Sequence, residues 1–191
     1  MKKIILASSS PRRKELLELT GLRFRTDAVD YQERMDSDLE PHRLARFLSR
    51  EKAKTAARRY DDAIIIAADT FIVFKGRVLG KPRTRTEALK MLELLNGKAH
   101  SVITGFTIID ASNRRTLSRT VETKVWFKTL TRDEIASYVR TGEPLDKAGA
   151  YGIQGLGSVI VKKIEGDCFN VVGLPLSALM DSLKRFGVYI L

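Results

Sequence analysis

Residues 62–80, DAIIIAADTFIVFKGRVLG, decide how this chain folds. Ile64–Ala68 is an unbroken apolar run of the kind found where a strand is covered on both faces. Phe71–Phe74 is a second short run of strand formers, and Lys75-Gly76 reads as a hairpin turn. A strand buried on both faces beside a hairpin predicts a mixed sheet rather than a purely parallel one. Asp69 is the one charge between the two runs. At the end of a buried strand a carboxylate can bind a divalent cation or act as general base toward a water. It can equally be a turn residue capping nearby N–H groups.

Upstream, ILASSSPRRKELL (residues 5–17) runs a short strand, Ile4–Ala7, into a helix. Ser10 suits the N-cap, Pro11 the first helical position, and the helix continues to Gly21. A helix start presents unpaired N–H groups and the positive end of its dipole. Those of Arg12 and Arg13, three serine hydroxyls and two guanidinium groups would make an anion cradle without a glycine-rich loop. The plainer alternative is a capped helix with two solvated arginines. Residues 22–41 read as a strand and then a loop, with Glu33 in YQER a candidate metal carboxylate. PHRLARFLSREKAKTAARRY is helical, with Leu44, Phe47, Leu48 and Ala53 on its apolar spacing. Lys52 and Lys54 stand two apart on it and so face different ways.

Downstream, a helix starts at Thr84 or Thr86 and closes at Asn96-Gly97. Two strands follow, His100–Asp110 and Thr116–Phe127, and TRDE at 131–134 is a capping box for the next helix. The loop EPLDKAGAYGIQGLG gathers Gly149, Gly152, Gly155 and Gly157 around Lys147, Tyr151 and Gln154. Glycines permit close backbone approach to a ligand, and a glutamine amide can read a base edge; a merely flexible loop is the alternative. A strand at Ser158–Ile164 and a helix at Leu176–Phe186 complete a single compact α/β domain. Lys81, in LGKP, lies at the far end of the hairpin that begins beside Asp69.

The chain has 191 residues, 43% apolar and 30% charged, and a net charge of +11. That charge points to an anionic partner: nucleic acid, an acidic membrane surface or a phosphorylated small molecule. Aromatic residues are only 7% and show no basic–aromatic interleaving such as an RRM stacking motif, which argues against specific nucleic-acid binding. The apolar start MKKIILASSS is too short for a signal peptide, and no run approaches the roughly 20 residues of a membrane span. A soluble, cytoplasmic protein is expected. The single Cys168 excludes an intrachain disulfide and is expected as a buried filler. His42 and His100 lack metal-ligand spacing and read as structural or exposed.

ILASSSPRRKELL, REKAK, AADT, LGKP, LDKAGAYGIQG and VVGLPL stand in the order found in Maf proteins, nucleoside triphosphate pyrophosphatases of the inosine-triphosphatase-like superfamily. The chain resembles that family over residues 3–186. The resemblance implies cleavage between the α and β phosphorus atoms with a divalent metal, Mg²⁺ or Mn²⁺. It implies an elongated mixed sheet flanked by helices, two lobes with a central cleft, one domain over 1–191, and a homodimer. By motif match Asp69 looks like the proton acceptor and, with Lys52 and Lys81, the catalytic set. Ser8, Arg13, Lys52 and Lys81 look like the phosphate-binding set. Arg12, Thr70 and Gln154 resemble the positions linked to base preference. Glu33 and Asp69 would hold the metal. DKAGAYGIQG resembles the dTTP/UTP branch, whereas the 7-methyl-GTP branch reads more like AGSFKSEG. A regulatory protein of cell division or septum formation, acting through a partner, is the competing reading.

Overall fold

The computed structural model describes residues 2–29 and 39–190. In chain order the elements are β1 (Lys3–Leu6), α1 (Pro11–Glu18), β2 (Arg25–Thr26), α2 (Pro41–Ala57), β3 (Ala63–Phe74) and β4 (Arg77–Leu79). Then come α3 (Arg85–Leu95), β5 (Ala99–Asp110), β6 (Thr116–Phe127), α4 (Arg132–Arg140), β7 (Val161–Glu165), α5 (Cys168–Val172) and α6 (Leu176–Lys184). Three short 3₁₀ turns, Glu143–Asp146, Ala148–Ala150 and Gly155–Val159, fill the stretch before β7. The strands hydrogen-bond in the order β2-β1-β3-β5-β6-β7, with β4 on β3. The fold is α/β with a mixed sheet: β1 runs parallel to β2 and β3, whereas β4 is antiparallel to β3 and β7 to β6.

The chain divides into two compact units. The first comprises Met1–Asp69, Thr104–Val121 and Gly173–Leu191; the second comprises Thr70–Ile103 and Glu122–Val172.

In the first unit the register sets Ile4 opposite Ile64 and Leu6 opposite Ile66. Strand side chains alternate between faces. One face, carrying Ile5 from β1, Ala7 just beyond it, and Ala63, Ile65 and Ala67 from β3, packs on Ala53, Ala56 and Ala57 of α2. These small side chains let the helix lie close to the sheet. Further along α2, Ala45 meets Gly105 of β5, and Ser49 bonds Thr107 Oγ1 at 2.9 Å, which in turn bonds Ser118 Oγ at 2.8 Å. Phe47, expected on the apolar face, is exposed, because the buried face runs through Leu44, Ala45, Leu48 and Ser49 instead.

The second unit buries Ile72 and Phe74 of β3, Ala88, Leu92 and Leu95 of α3, and Ile135, Tyr138 and Val139 of α4. Thr84 caps α3, and the capping box of α4 forms between Thr131 and Glu134. His100 lies within this core, its Nε2 2.7 Å from the Tyr151 hydroxyl and its ring edge-on to Phe127. Burial holds its pKa down at about 4.

Four expectations are corrected. β3 is one strand through Asp69 and Thr70, not two, since neither residue breaks an extended backbone and no glycine or proline separates the runs. Residues 155–159 coil into a 3₁₀ turn, so the following strand starts at Val161. The first helix stops at Glu18, where Thr20 Oγ1 donates to the Leu17 carbonyl and Gly21 turns left-handed. Cys168 is exposed rather than buried: Asp167 Oδ1 accepts the N–H groups of Phe169 and Asn170, starting the short α5 with the cysteine on its outer side. Among the described residues no helix is long and apolar enough to cross a membrane.

A Cβ on Gly105 would lie 2.2 Å from the carbonyl oxygen of Ala45. Gly105→Ala therefore has to push α2 off the sheet, and we expect it to lower unfolding free energy by about 1–3 kcal/mol in urea titrations. An unchanged midpoint would contradict the close contact. For His100, the unfolded chain takes up a proton near pH 6.5, but the folded chain refuses it until about pH 4. Its contribution is thus fully present above pH 6.5 and lost as pH falls toward 4, at about 1 kcal/mol per pH unit. Urea midpoints measured between those pH values should decline; a flat profile would show that the ring is not buried neutral.

Candidate active site

Strand alternation puts Asp69 on the same face of β3 as Ile65 and Ala67, the face on which α2 packs. Asp69 is 5% exposed. A charge at that depth needs a partner, and Lys52 of α2 supplies it, Nζ donating to Asp69 Oδ1. The lysine side chain is itself only 12% exposed. Lys54 turns outward and pairs with Glu51 at 2.7 Å, so of the two lysines it is Lys52, the one the motif match names, that meets the acid.

The serine loop leaves β1 beside this pair. Ala7 N–H still donates to the Ile66 carbonyl of β3 at 2.7 Å, and Ser8 N–H turns back to Leu6 at 2.9 Å. With Leu6 opposite Ile66, β1 ends three residues short of Asp69, which lies within the longer β3, so the serine loop leaves the carboxyl end of β1 on the Asp69 side of the pairing. This is where open α/β sheets place ligands. Ser8 Oγ accepts the Ser10 N–H at 3.2 Å, which leaves its hydroxyl hydrogen to donate elsewhere. Ser10 Oγ caps α1 by accepting the Arg13 N–H at 3.4 Å. The expectation of an open N–H on Arg13 is thereby corrected: the N-cap serine occupies it.

Arg13 contributes through its side chain. Its Nε donates to the Gly173 carbonyl at 2.9 Å, which restrains the guanidinium group. Gly173 has φ +130°, a conformation open to glycine and not to residues with a Cβ. Arg12 and Arg13 are both half-buried, not solvated arms.

The other sequence candidates belong to the second unit. Thr70 is half-buried on β3. Ile72 pairs with Leu79 across the β3–β4 hairpin, so continuing that register sets Lys81 level with Thr70. Lys81 is exposed, and its neighbour Gly80 accepts the Gly149 N–H at 2.9 Å. Gln154 is exposed in the turn between the second and third 3₁₀ segments. In the first unit, His42 bonds Thr120 Oγ1 at 3.1 Å, a contact between α2 and β6.

Glu33, the expected second metal carboxylate, lies outside the described residues. Among the described residues no group of three or more His, Cys, Asp or Glu side chains converges as a metal cage. Asp69 nevertheless has the chemistry for a hard cation such as Mg²⁺, which takes one or two carboxylates and completes its shell with substrate phosphate and water.

Two residues that the sequence does not assign, one in each unit, hold candidate segments in place. Gly173 holds Arg13, and its signal is the glycine of VVGLPL just ahead of α6. Glu143 organises the loop of Gln154; its signal is an acid at the head of a glycine-rich run.

The Maf-like protein model matches residues 3–186. The chain is 48% identical to a dTTP/UTP pyrophosphatase of Geobacillus sp. (strain WCH70), covering 98% of this chain and 100% of the relative. It is 50% identical to a dTTP/UTP pyrophosphatase of Thermoanaerobacter sp. (strain X514), covering 96% of each. Among solved structures it is similar to the Ham1 protein of Staphylococcus aureus, with a TM-score of 0.49 and 13% identity over 84% of this chain and 80% of that one.

Removing one member of a buried ion pair leaves the other uncompensated, at about 3–5 kcal/mol, whereas removing both charges is far milder. Urea unfolding of Lys52→Met, Asp69→Asn and the double variant should show it: Lys52→Met is destabilised by about 3 kcal/mol, and adding Asp69→Asn restores most of the loss. Strictly additive losses would show that the two groups do not interact.

Proposed function

Because the chain belongs to the Maf-like protein family, we propose that it is a nucleoside triphosphate pyrophosphatase acting foremost on dTTP and UTP. The name borne by its relatives at 48–50% identity supports that substrate class. The observation that carries the reading is a buried carboxylate–ammonium pair on the strand next to β1, from whose carboxyl end a serine- and arginine-bearing helix start departs. A polyphosphate needs charge neutralisation and a positioned water, and these groups offer both.

In this reaction water attacks the α phosphorus, the bond to the α–β bridging oxygen breaks, and pyrophosphate departs with the bond's electron pair. Asp69 accepts the proton of the attacking water and later releases it to solvent. Lys52 compensates the Asp69 carboxylate before substrate arrives and, within reach of an incoming phosphate, can share its N–H groups with phosphate oxygens. Arg13, restrained by Gly173, and Ser8, through its hydroxyl hydrogen, bind non-bridging oxygens; Arg12 and Lys81 add positive charge. Arg12, Thr70 and Gln154 set the choice of base. Asp69 and Glu33 would hold a Mg²⁺ or Mn²⁺ ion, which as a Lewis acid neutralises phosphate charge when bound. The reading carries with it a homodimer and a cytoplasmic location. It involves neither specific nucleic-acid binding nor a membrane.

The test is a nucleotide panel with Mg²⁺ or Mn²⁺, resolved by chromatography. dTTP and UTP should yield the monophosphate and pyrophosphate, and Asp69→Asn should lose on the order of 100-fold or more in kcat. Release of orthophosphate, preference for 7-methyl-GTP, or full activity of Asp69→Asn would each overturn the assignment.

A further inference from the structure

The turn that carries Gln154 is built around one acidic side chain. Glu143 opens the 3₁₀ turn after α4 and is half-buried. Its Oε2 accepts the Leu156 N–H at 2.9 Å, and its Oε1 accepts the Gly157 N–H at 3.0 Å and the Tyr138 hydroxyl at 2.9 Å. Two successive backbone N–H groups and a phenol thus converge on one carboxylate, just beyond Gln154.

The glycines of the loop follow from that clasp. Gly155 has φ +68°, and a Cβ there would meet Glu143 Oε2 at 2.8 Å. A Cβ on Gly157 would meet the Gly152 carbonyl oxygen at 2.1 Å and the Tyr138 hydroxyl at 2.6 Å. Lys147 closes the other side: its Nζ donates to the Glu143 carbonyl at 2.6 Å and to Asp146 at 2.8 Å. Tyr151 is fixed from below by His100. Gln154 therefore projects from a turn anchored on both sides, although its own side chain is exposed. A loop that only linked α4 to β7 would need none of this. Partial burial alone would raise the pKa of the carboxyl of Glu143. The N–H groups of Gly157 and Leu156, the Tyr138 hydroxyl and the Lys147 charge outweigh burial and hold it below the usual carboxylate range, so the clasp is in its charged, strongly accepting form at neutral pH.

We propose that Glu143 is a positioning residue for nucleotide choice, acting through the turn it clasps to hold the Gln154 amide where it reads the base. The inference rests on the pyrophosphatase reading and on Gln154 as a base-reading group. The isosteric substitution Glu143→Gln keeps one acceptor oxygen and turns an NH₂ group toward a backbone N–H, so the new side chain can hold only one of the two backbone amides.

The experiment is a double-mutant cycle of Glu143→Gln and Gln154→Ala on the full chain. It reads kcat and KM for UTP and GTP, together with amide hydrogen exchange. Glu143→Gln should lower the UTP-to-GTP ratio of kcat/KM by about tenfold, the effect of losing one charge-assisted hydrogen bond. Most of that change should fall in KM for UTP. Exchange should accelerate at Leu156 and Gly157 and not within α4. Gln154→Ala should lower the same ratio, and the double variant should be no worse than Gln154→Ala alone, because the two act in series. Should Glu143→Gln fold poorly, Tyr138→Phe removes one of the three bonds and should move the ratio the same way by a smaller factor. Unchanged selectivity in Glu143→Gln alongside lost selectivity in Gln154→Ala overturns the proposal, as does a double variant whose losses multiply. Unchanged selectivity in Gln154→Ala instead overturns the base-reading role on which the proposal stands, while hydrolysis of UTP to UMP and pyrophosphate by that variant leaves the pyrophosphatase reading in place.

Discussion

A carboxylate buried inside a strand is unstable by itself, and the first unit is organised so that Asp69 is not by itself. The ammonium of Lys52 reaches it only because α2 lies close on the sheet, and α2 lies close only because the side chains between them are small. Ala53, Ala56 and Ala57 meet Ala63 and Ala67, and Gly105 admits the backbone at Ala45. The hydroxyl chain from Ser49 through Thr107 to Ser118 then ties the helix to β5 and β6. Packing decides the approach, the approach decides which lysine meets the acid, and the ion pair is the chemical outcome.

Elsewhere the chain restrains flexible side chains by means of backbone. The Arg13 guanidinium is tied to the carbonyl of a glycine in a conformation closed to other residues, so a long side chain with many rotamers is confined at little further entropic cost. The Gln154 turn inverts the arrangement, with a side chain, Glu143, tying down backbone amides. In both places the motif glycines serve contacts made some distance along the chain, not simple reversals of direction.

Local signals were legible from the residues alone. Ser10 and Thr131 announce two helix starts and Thr84 is one of two candidates for a third; Asp69 is conspicuous as the one charge in an apolar strand, and the hairpin at Lys75-Gly76 makes the sheet mixed. Signals that depend on distant partners were not. Residues 158–160 look like strand, yet Glu143 has taken the amides just before them, a contact 13 to 14 residues back that periodicity does not encode. Cys168 reads as filler until Asp167 starts a helix there. Lys52 and Lys54 are equivalent in charge and differ only in which faces the alanine stripe. The Arg13 amide looks open until the hydroxyl of Ser10 is placed on it.

The central claim is that the Lys52–Asp69 pair and the adjoining helix start receive the triphosphate. A crystal structure with the non-hydrolysable analogue α,β-imido-UTP and Mg²⁺ tests it most directly. The account predicts phosphate oxygens on Lys52, Arg13 and the Ser8 hydroxyl, with Asp69 facing a water in line with the α phosphorus. A triphosphate bound away from these residues, with Lys52 and Asp69 still closed on each other, would contradict it.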